Sequence, residues 1–284
     1  MMGEFWYDLH LHSCLSPCGS DDMTPNNLVH MAALLGYDII ALTDHNTARN
    51  TPAAVQVGRE AGITVVPGME LTTAEEAHVV CLFPTPEQAL AFEARIREDW
   101  LRFPNDASIF GNLWILNSGD EKIGEEPDLL ISATAVGVNE VLDLAEAFGG
   151  TAFPAHVDKN AYSVIASLGA IPPETGFRAA EISFSGDVQR MKLQNPELDR
   201  MLILQSSDAH YLENMREPSR RIALPENSGG CLIDTPRALC SLPGRHEKGR
   251  CCGVSRYLHA VCGNQGRRGS PPRRRPRDPR AGPR

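Results

Sequence analysis

Short apolar runs alternate with capped helical segments along most of this chain, and this alternation restricts the fold more than any other feature. The pairs Thr24-Pro25 and Thr85-Pro86 have the pattern of a helix N-terminus, and Gly36 and Gly62 are placed to end helices. Strand and helix in alternation favour a parallel sheet or barrel with right-handed connections. The predicted strands are 5–12, 38–43, 63–69, 78–83, 151–154, 179–182 and 201–204, and the predicted helices are 24–35, 50–61, 85–100, 139–148, 162–168 and 188–193.

Residues 101–137 interrupt this alternation with turn-forming pairs such as Asn105-Asp106 and Glu126-Pro127. A long connection within a compact domain usually has a functional reason. We therefore predict an insertion of short helices and turns that acts as a lid or wall over a site.

The length and composition suit one large α/β domain, since 284 residues with 42% hydrophobic content can bury a sizeable core. No run approaches the roughly 18–20 apolar residues that a membrane span needs, and the first residues lack a basic-then-apolar signal region. We expect a cytoplasmic protein. Residues 1–225 contain 14 basic and 32 acidic residues, a net charge of −18, which is a poor match for non-specific duplex binding, although bound metal ions would weaken this objection.

The segment 226–284 differs in character from 1–225. It has 13 basic against 4 acidic residues, it contains five of the eight cysteines, and it shows neither helical nor strand periodicity. We predict a disordered segment or an out-of-frame translation, and a basic tail that binds nucleic acid is the alternative. Cys14, Cys18 and Cys81 in the first part suggest a ligand or packing residues, without a disulfide framework.

The first predicted strand ends in His10-Leu11-His12. Side chains of a strand alternate between its two faces, so both imidazoles project to the same side. His-x-His by itself is often only a polar surface pair. Here, however, most other histidines before residue 225 also lie at a strand end or beside an acidic residue.

Polar residues at the strand ends form the candidate site. In a barrel of parallel strands, the carboxyl ends of the strands converge on one face. Imidazole and carboxylate groups together suit Zn²⁺, Mn²⁺ or Fe²⁺, and Glu70 could bridge two ions. His78 fits least well, because it precedes its apolar run and simple barrel geometry would place it at the opposite end. The residues of this set are His10, His12, Asp44, His45, Glu70, His78, His156, Asp208 and His210.

Six motifs, in order, resemble those of the polymerase and histidinol phosphatase (PHP) family over roughly residues 5–215: Asp-Leu-His-Leu-His, Thr-Asp-His-Asn, Pro-Gly-Met-Glu, His-Val-Val-Cys, Ala-His and Ser-Asp-Ala-His. The resemblance implies a distorted (β/α)₇ TIM-like barrel, phosphoester hydrolysis and two or three divalent ions. It also implies three ligand sets: His10, His12, Glu70 and Asp208 for one ion, Glu70, His78 and His156 for a second, and His45, His210 and the residue six past His12 for a third.

That last position holds Cys18, where many members of the family have His or Asp. A thiolate is a competent ligand for zinc or iron, so we predict that Cys18 binds metal with a softer preference. A cysteine that only fills its loop is the alternative.

Hydrolysis at such a centre uses hydroxide formed from metal-bound water, so no protein nucleophile is required. We predict that Glu70 and Asp208 are essential to catalysis. Asp44 is predicted either to orient a neighbouring imidazole or to act as a proton shuttle. Lys159 and Asn46 follow metal-ligand candidates and could contact the phosphate, with simple solvation as the alternative.

The predicted substrate is a small phosphorylated molecule or the end of a nucleotide or oligonucleotide, with no membrane and no obligate protein partner. Two other functions are open. An amidohydrolase-type C–N hydrolase also carries His-x-His on its first strand, but its common subtype needs a metal-bridging lysine after the fourth strand, and the first lysine here is Lys122. The other is a non-catalytic metal-binding PHP module.

Overall fold

The computed structural model describes residues 2–17 and 19–238 of the chain. Within these residues, no helix combines the length and the apolar character that a membrane crossing requires. The strands are β1 (Gly3–Leu11), β2 (Ile39–Leu42), β3 (Thr64–Thr72), β4 (His78–Leu82), β5 (Trp114–Leu116), β6 (Lys122–Glu125), β7 (Thr151–Pro154), β8 (Ala179–Ser183), β9 (Leu202–Ser206) and β10 (Arg221–Leu224). The helices are α1 (Pro25–Leu35), α2 (Thr51–Ala61), α3 (Pro86–Glu98), α4 (Ala107–Phe110), α5 (Val141–Ala147), α6 (Val164–Leu168), α7 (Val188–Gln194) and α8 (Gly229–Ala238).

Helix α1 shows how the local sequence fixes the elements. The Thr24 hydroxyl accepts a hydrogen bond from the Asn27 N–H, Pro25 starts the helix, and Gly36 ends it in the left-handed region at φ 90°. Glycine adopts this conformation without steric cost. The predicted helix ends are confirmed here. In α2, by contrast, the Asn50 side chain makes no capping bond, because its Oδ1 accepts from the Leu116 N–H at 2.9 Å instead.

Six strands form a sheet in the order β10-β1-β2-β3-β4-β7. Strands β1, β2 and β3 are parallel, whereas β4 runs antiparallel to both β3 and β7. The expectation of an all-parallel arrangement is therefore wrong at β4. The cause is local: β3 and β4 are joined by the short turn 73–77, which returns the chain as a hairpin instead of through a helical crossover.

The parallel strands β8 and β9 form a separate pair, which lies next to β7 and β1 of the six-stranded sheet. The Val157 N–H donates to the Glu181 carbonyl at 2.8 Å, and the Asp208 N–H donates to the His10 carbonyl at 3.0 Å. These bonds tie β8 to the end of β7 and β9 to the end of β1. The fold is thus a mixed α/β structure with a curled sheet, and the complete (β/α)₇ barrel stays a prediction.

A core cluster fills the inside of the curl. It takes side chains from β1, β2, β3, β4, β7, β8, β9 and β10, including Leu9, Val80, Phe153 and Leu204. Apart from β10, which the sequence analysis does not predict, these strands contain the apolar runs that the sequence predicts as strands.

Helix α8 also belongs to this core. Leu232 and Ile233 are 4% and 1% exposed and join the same cluster. Just before the helix, the Asn227 carbonyl accepts a hydrogen bond from Thr64 Oγ1, at the start of β3. The ten-residue helix α8 lies beyond the predicted boundary at residue 225, so regular structure continues past that residue. The division of the chain at residue 225 stays a prediction. The rest of that prediction, for residues 239–284, lies outside the described residues.

The inserted segment 101–137 contains the four-residue helix α4 and the hairpin β5–β6, so the expectation of helices and turns alone is wrong. Two buried acids fix the segment to the domain. Glu126 pairs with Arg97 at 2.8 Å and with Arg49 at 2.7 Å, and both arginines also contact Glu93 of α3.

We expect Leu232→Ala to lower the free energy of unfolding by about 2–5 kcal/mol, the usual cost of removing a buried leucine side chain. Urea denaturation followed by circular dichroism measures this change. Leu193→Ala is the matched control, because Leu193 is 84% exposed and its loss should cost less than about 0.5 kcal/mol. Equal denaturation midpoints for the two variants would mean that α8 is not part of the core.

Candidate metal centre

The two histidines of β1 are buried completely and are held by different partners. His10 Nδ1 lies 3.0 Å from Glu181 Oε1, and an ionised carboxylate only accepts, so this nitrogen carries the proton. His12 Nδ1 donates to Ser16 Oγ at 3.0 Å, because that hydroxyl donates to Asp44 at 2.7 Å. Both rings therefore direct Nε2 to the same side of the strand.

Glu70 of β3 lies at the centre of the site and is fully buried. Its backbone N–H donates to the carbonyl of Asp44, so the end of β2 holds it in place. Its carboxylate oxygens lie 2.9–3.4 Å from nitrogen atoms of His10, His12, His45, His78 and His156.

The reversal of β4 explains how His78 reaches this centre. His78 is the first residue of β4 and pairs with Thr72, the last residue of β3. Because β4 is antiparallel, its beginning lies at the end of the sheet where the parallel strands finish. His78 Nδ1 is 2.9 Å from Glu70 Oε1.

Asp208 and His210 follow β9 and complete the cluster. Asp208 Oδ1 lies 3.1 Å from His12 Nε2 and 3.5 Å from His10 Nε2. The His210 ring stacks on the His12 ring with centroids 4.0 Å apart. The backbones of Asp208 and His156 have φ values of 54° and 29°, which residues other than glycine rarely adopt and which are often found at functional sites.

Three groups of ligand atoms are close enough to share an ion: His10, His12, Glu70 and Asp208; His45, Glu70 and His78; and His12, His45 and His210. The first agrees with the first set implied by the family resemblance. The second includes His45 where the resemblance places His156, although His156 Nε2 is 3.1 Å from the same Glu70 oxygen that His78 faces. Cys18, predicted for the third set, lies outside the described residues.

Buried atoms without a hydrogen-bond partner indicate that this cluster fits divalent ions. A buried polar atom normally has a partner, so a convergent group without partners suggests a ligand. Among the described residues, these atoms in the cluster are His10 Nε2, His12 Nε2, His45 Nδ1, Glu70 Oε2, His78 Nδ1, His156 Nδ1 and Asp208 Oδ1.

The sequence matches the PHP domain family model over residues 8–166, which is more than half of the chain. This chain belongs to the PHP domain family. The match contains Glu70 and the ligand candidates from His10 to His156, and the structure adds Asp208 and His210 from beyond its end.

Two curated relatives match a part of this chain. The chain is 37% identical over 79 residues to a 5'-3' exoribonuclease of Haemophilus influenzae, covering 27% of this chain and 28% of that protein. It is 41% identical over 69 residues to the PolC-type DNA polymerase III of Bacillus cereus, covering 24% of this chain and 5% of the polymerase. The chain thus spans under a third of the length of these two curated relatives.

A solved structure extends the comparison to the whole fold. The lesion-specific endonuclease of Pyrococcus furiosus superposes with a TM-score of 0.62 over 83% of this chain and 56% of that chain. The sequence identity is 16%, so this likeness establishes the fold alone.

Burial and neighbouring charges both shift the pKa values of the ligand candidates in this PHP site. Burial would lower the pKa of His10, but the carboxylates of Glu181, Glu70 and Asp208 raise it well above its ordinary value. Burial and the neighbouring His210 and His45 hold the pKa of His12 well below its ordinary value. Although burial alone would raise the pKa of Glu70, the histidines around it lower that pKa far below its usual range.

The three other predicted site residues have different positions. Asp44 is fully buried, and its carboxylate accepts hydrogen bonds from Ser13 and Ser16. Ser16 in turn contacts His12 Nδ1 and the His45 N–H, so this carboxylate supports the centre indirectly, and burial raises its pKa. Asn46 donates to the carbonyls of Leu130 and Ser132. It does not line the cavity of about 300 Å³ that contains Glu70, His78 and Asp208. Lys159 pairs with Asp208 and does line the cavity.

Glu181 is a functional candidate that the sequence analysis missed. It is fully buried in β8, its Oε1 also accepts from the His156 N–H at 3.1 Å, and it therefore orients two ligand candidates at once. One signal was available: Glu181 is a lone charge inside the apolar run Ala179–Ser183, and a buried charge usually has a partner.

We expect Glu181→Gln to lower the metal affinity about tenfold or more, because outer partners of metal-binding histidines typically contribute 10–100-fold. Zinc titration of the EDTA-treated protein with a competing chelator measures the affinity. Glu217→Gln is the control, since Glu217 is exposed. Equal affinities of the two variants would remove Glu181 from the site.

We also expect metal affinity to rise with pH by up to about tenfold per pH unit between pH 6 and 8. The raised pKa keeps His10 protonated in the metal-free protein near neutrality, and a ligand must release that proton. Calorimetric titration in buffers of different ionisation enthalpy detects the release. His30→Ala should have the same pH slope, because His30 is exposed and lies in α1. Affinity that is independent of pH would contradict this account.

Proposed function

We propose that this chain is a metal-dependent hydrolase of phosphoesters, with a multinuclear centre of two or three Zn²⁺, Mn²⁺ or Fe²⁺ ions. One observation carries the proposal: five histidine nitrogens surround the two oxygens of a single buried carboxylate, Glu70. A carboxylate in this position is suited to bridging ions.

The chain would hold the ions through separate groups of ligands. His10, His12, Glu70 and Asp208 form one group, and His45, His78 and His156 also face Glu70. His210 stacks on His12 and would serve a third ion, together with Cys18. Divalent ions at such sites lower the pKa of bound water and polarise phosphoryl oxygens.

The surrounding residues set the protonation state of the ligands. Glu181 keeps the proton of His10 on Nδ1, and Ser16, held by Asp44, keeps the proton of His12 on Nδ1. We therefore assign Asp44 to orienting His12 instead of shuttling a proton. Asn46 holds the inserted segment against the domain through two carbonyls.

Lys159 supplies a positive charge for the phosphate. Burial would lower its pKa, but Asp208 raises it, so the ammonium stays protonated. It lines a cavity of about 300 Å³ together with Glu70, His78 and Asp208. An ammonium in this position would neutralise an equatorial phosphoryl oxygen.

The two alternative functions have less support. A degenerate metal-binding module should have lost ligands, yet the candidate ligands among the described residues converge on one cluster. A C–N hydrolase of the common amidohydrolase subtype needs a bridging lysine, and Lys122 instead pairs with Glu125 in the β5–β6 hairpin. The exoribonuclease relative also favours a phosphoester substrate.

We expect Glu70→Gln and Asp208→Asn each to reduce phosphoester hydrolysis by about 10³-fold or more. Each change removes a ligand that positions an ion, and the loss of several kcal/mol of transition-state stabilisation follows. Hydrolysis of aryl phosphates and phosphodiesters by protein loaded with Mn²⁺, Zn²⁺ or Fe²⁺ measures the effect, and EDTA should abolish activity reversibly.

The matched controls are Glu174→Gln and Asp143→Asn, which change the same chemical groups at exposed positions. Both should keep wild-type rates, and all four variants should have native circular dichroism spectra. If the metal-loaded wild type hydrolysed no ester in a broad panel, the hydrolase proposal would fail.

A further inference from the structure

Tyr162 presents an exposed aromatic ring at the mouth of the metal centre. The ring is 54% exposed, whereas Tyr7 and Tyr37 are 5% and 3% exposed in the core. It lines the cavity that contains His45, Glu70 and Asp208. The tyrosine ring also lies parallel to His78, with centroids 5.0 Å apart and an interplanar angle of 23°. A large apolar ring thus remains in contact with solvent beside the most polar part of the molecule.

The backbone holds this ring in position. Tyr162 has φ 55°, a left-handed conformation that aromatic residues rarely adopt. Its carbonyl accepts a hydrogen bond from the His78 N–H at 2.9 Å. The following residue, Ser163, donates to the Lys159 carbonyl and caps α6. Strained residues persist where their surroundings fix them, and they are frequent at ligand clamps.

The cavity therefore has two chemically different walls. One wall consists of Lys159 and the cluster around Glu70, which suits a phosphate. The other contains Tyr162, Ile131 and Pro17, which are apolar or aromatic. A ligand that satisfies both walls carries a phosphate next to a planar ring, as a nucleotide does. Aromatic side chains bind bases of any sequence by stacking.

A second cavity shares the lining residue Lys159 with the first. It has a volume of about 470 Å³ and is lined by Lys159, Asn160, Arg190 and Gln194. Arg190 has no ion-pair partner in the part of the chain that the structure describes. Two acids also line this cavity, but Asp158 is bonded to Ser183 and Asp187 caps α7.

We propose that the substrate is the end of a single-stranded oligonucleotide, with one base stacked on Tyr162 and the adjoining nucleotide in the second cavity beside Arg190. This inference rests on the proposed hydrolase function and narrows its substrate class. A small phosphomonoester would leave the second cavity unused. Two cavities that are both lined by the same lysine match a chain in which phosphates and bases repeat.

The test compares kcat/KM for a 5'-phosphorylated trinucleotide with kcat/KM for methyl phosphate. We expect Tyr162→Ala to lower the ratio of the two about tenfold or more, mainly through a higher KM for the trinucleotide, and Tyr162→Phe to restore it. Arg190→Ala should lower the ratio severalfold. Phe103→Ala and Arg59→Ala should keep the wild-type ratio, because Phe103 is 50% exposed and both residues lie outside the two cavities.

A binding measurement separates this inference from the hydrolase proposal. Fluorescence anisotropy of a labelled single-stranded pentanucleotide, with Mn²⁺ and after EDTA treatment, should show weaker binding to Tyr162→Ala than to the wild type. Equal binding, or an unchanged substrate ratio, would overturn the role of Tyr162. If methyl phosphate were hydrolysed and the trinucleotide were not, the hydrolase proposal would stand and the oligonucleotide inference would fail.

Discussion

The burial of the Glu70 carboxylate is the constraint on which the rest of the site depends. An ionised carboxylate removed from water costs several kcal/mol unless charges or hydrogen bonds compensate it. Here the compensation comes from histidines on separate strands and loops, so the strands must keep their register for the carboxylate to be tolerated. Stability and metal binding therefore both require the strands of the sheet to keep their register.

The consecutive residues Asp44, His45 and Asn46, which follow β2, have three different roles around that carboxylate. Asp44 is directed towards Ser13 and Ser16 and fixes His12, His45 faces Glu70, and Asn46 is bonded to the inserted segment. The left-handed backbone of Asn46, at φ 50°, changes the direction of the chain at this point. One short motif thus connects the ligand cluster, its hydrogen-bonded support and the wall of the cavity.

The local part of the fold could be predicted because it depends on neighbours in sequence. The cap of α1, the apolar run of β2 and the polar residues that follow each strand are visible in the printed sequence. The direction of β4 was predicted wrongly, since the sequence of an apolar run of five residues does not show which way the strand runs in the sheet. Its pairing with β3 and β7 decides this, and it brings His78 to the centre. Helix α8 was missed because its sequence contains Gly229, Gly230 and Pro236, which disfavour a helix.

The sequence by itself determined the chemical character of this protein: which residues are candidate ligands, that they follow short strands, and that their types suit divalent metals. The tertiary structure decided how they combine. Glu181 supports His10 from 171 positions along the chain, and Tyr162 becomes the wall of a cavity because a distant strand bonds to its carbonyl. Periodicity records only contacts within a strand or helix, whereas a site is formed by contacts between elements, which the packing of the curled sheet sets.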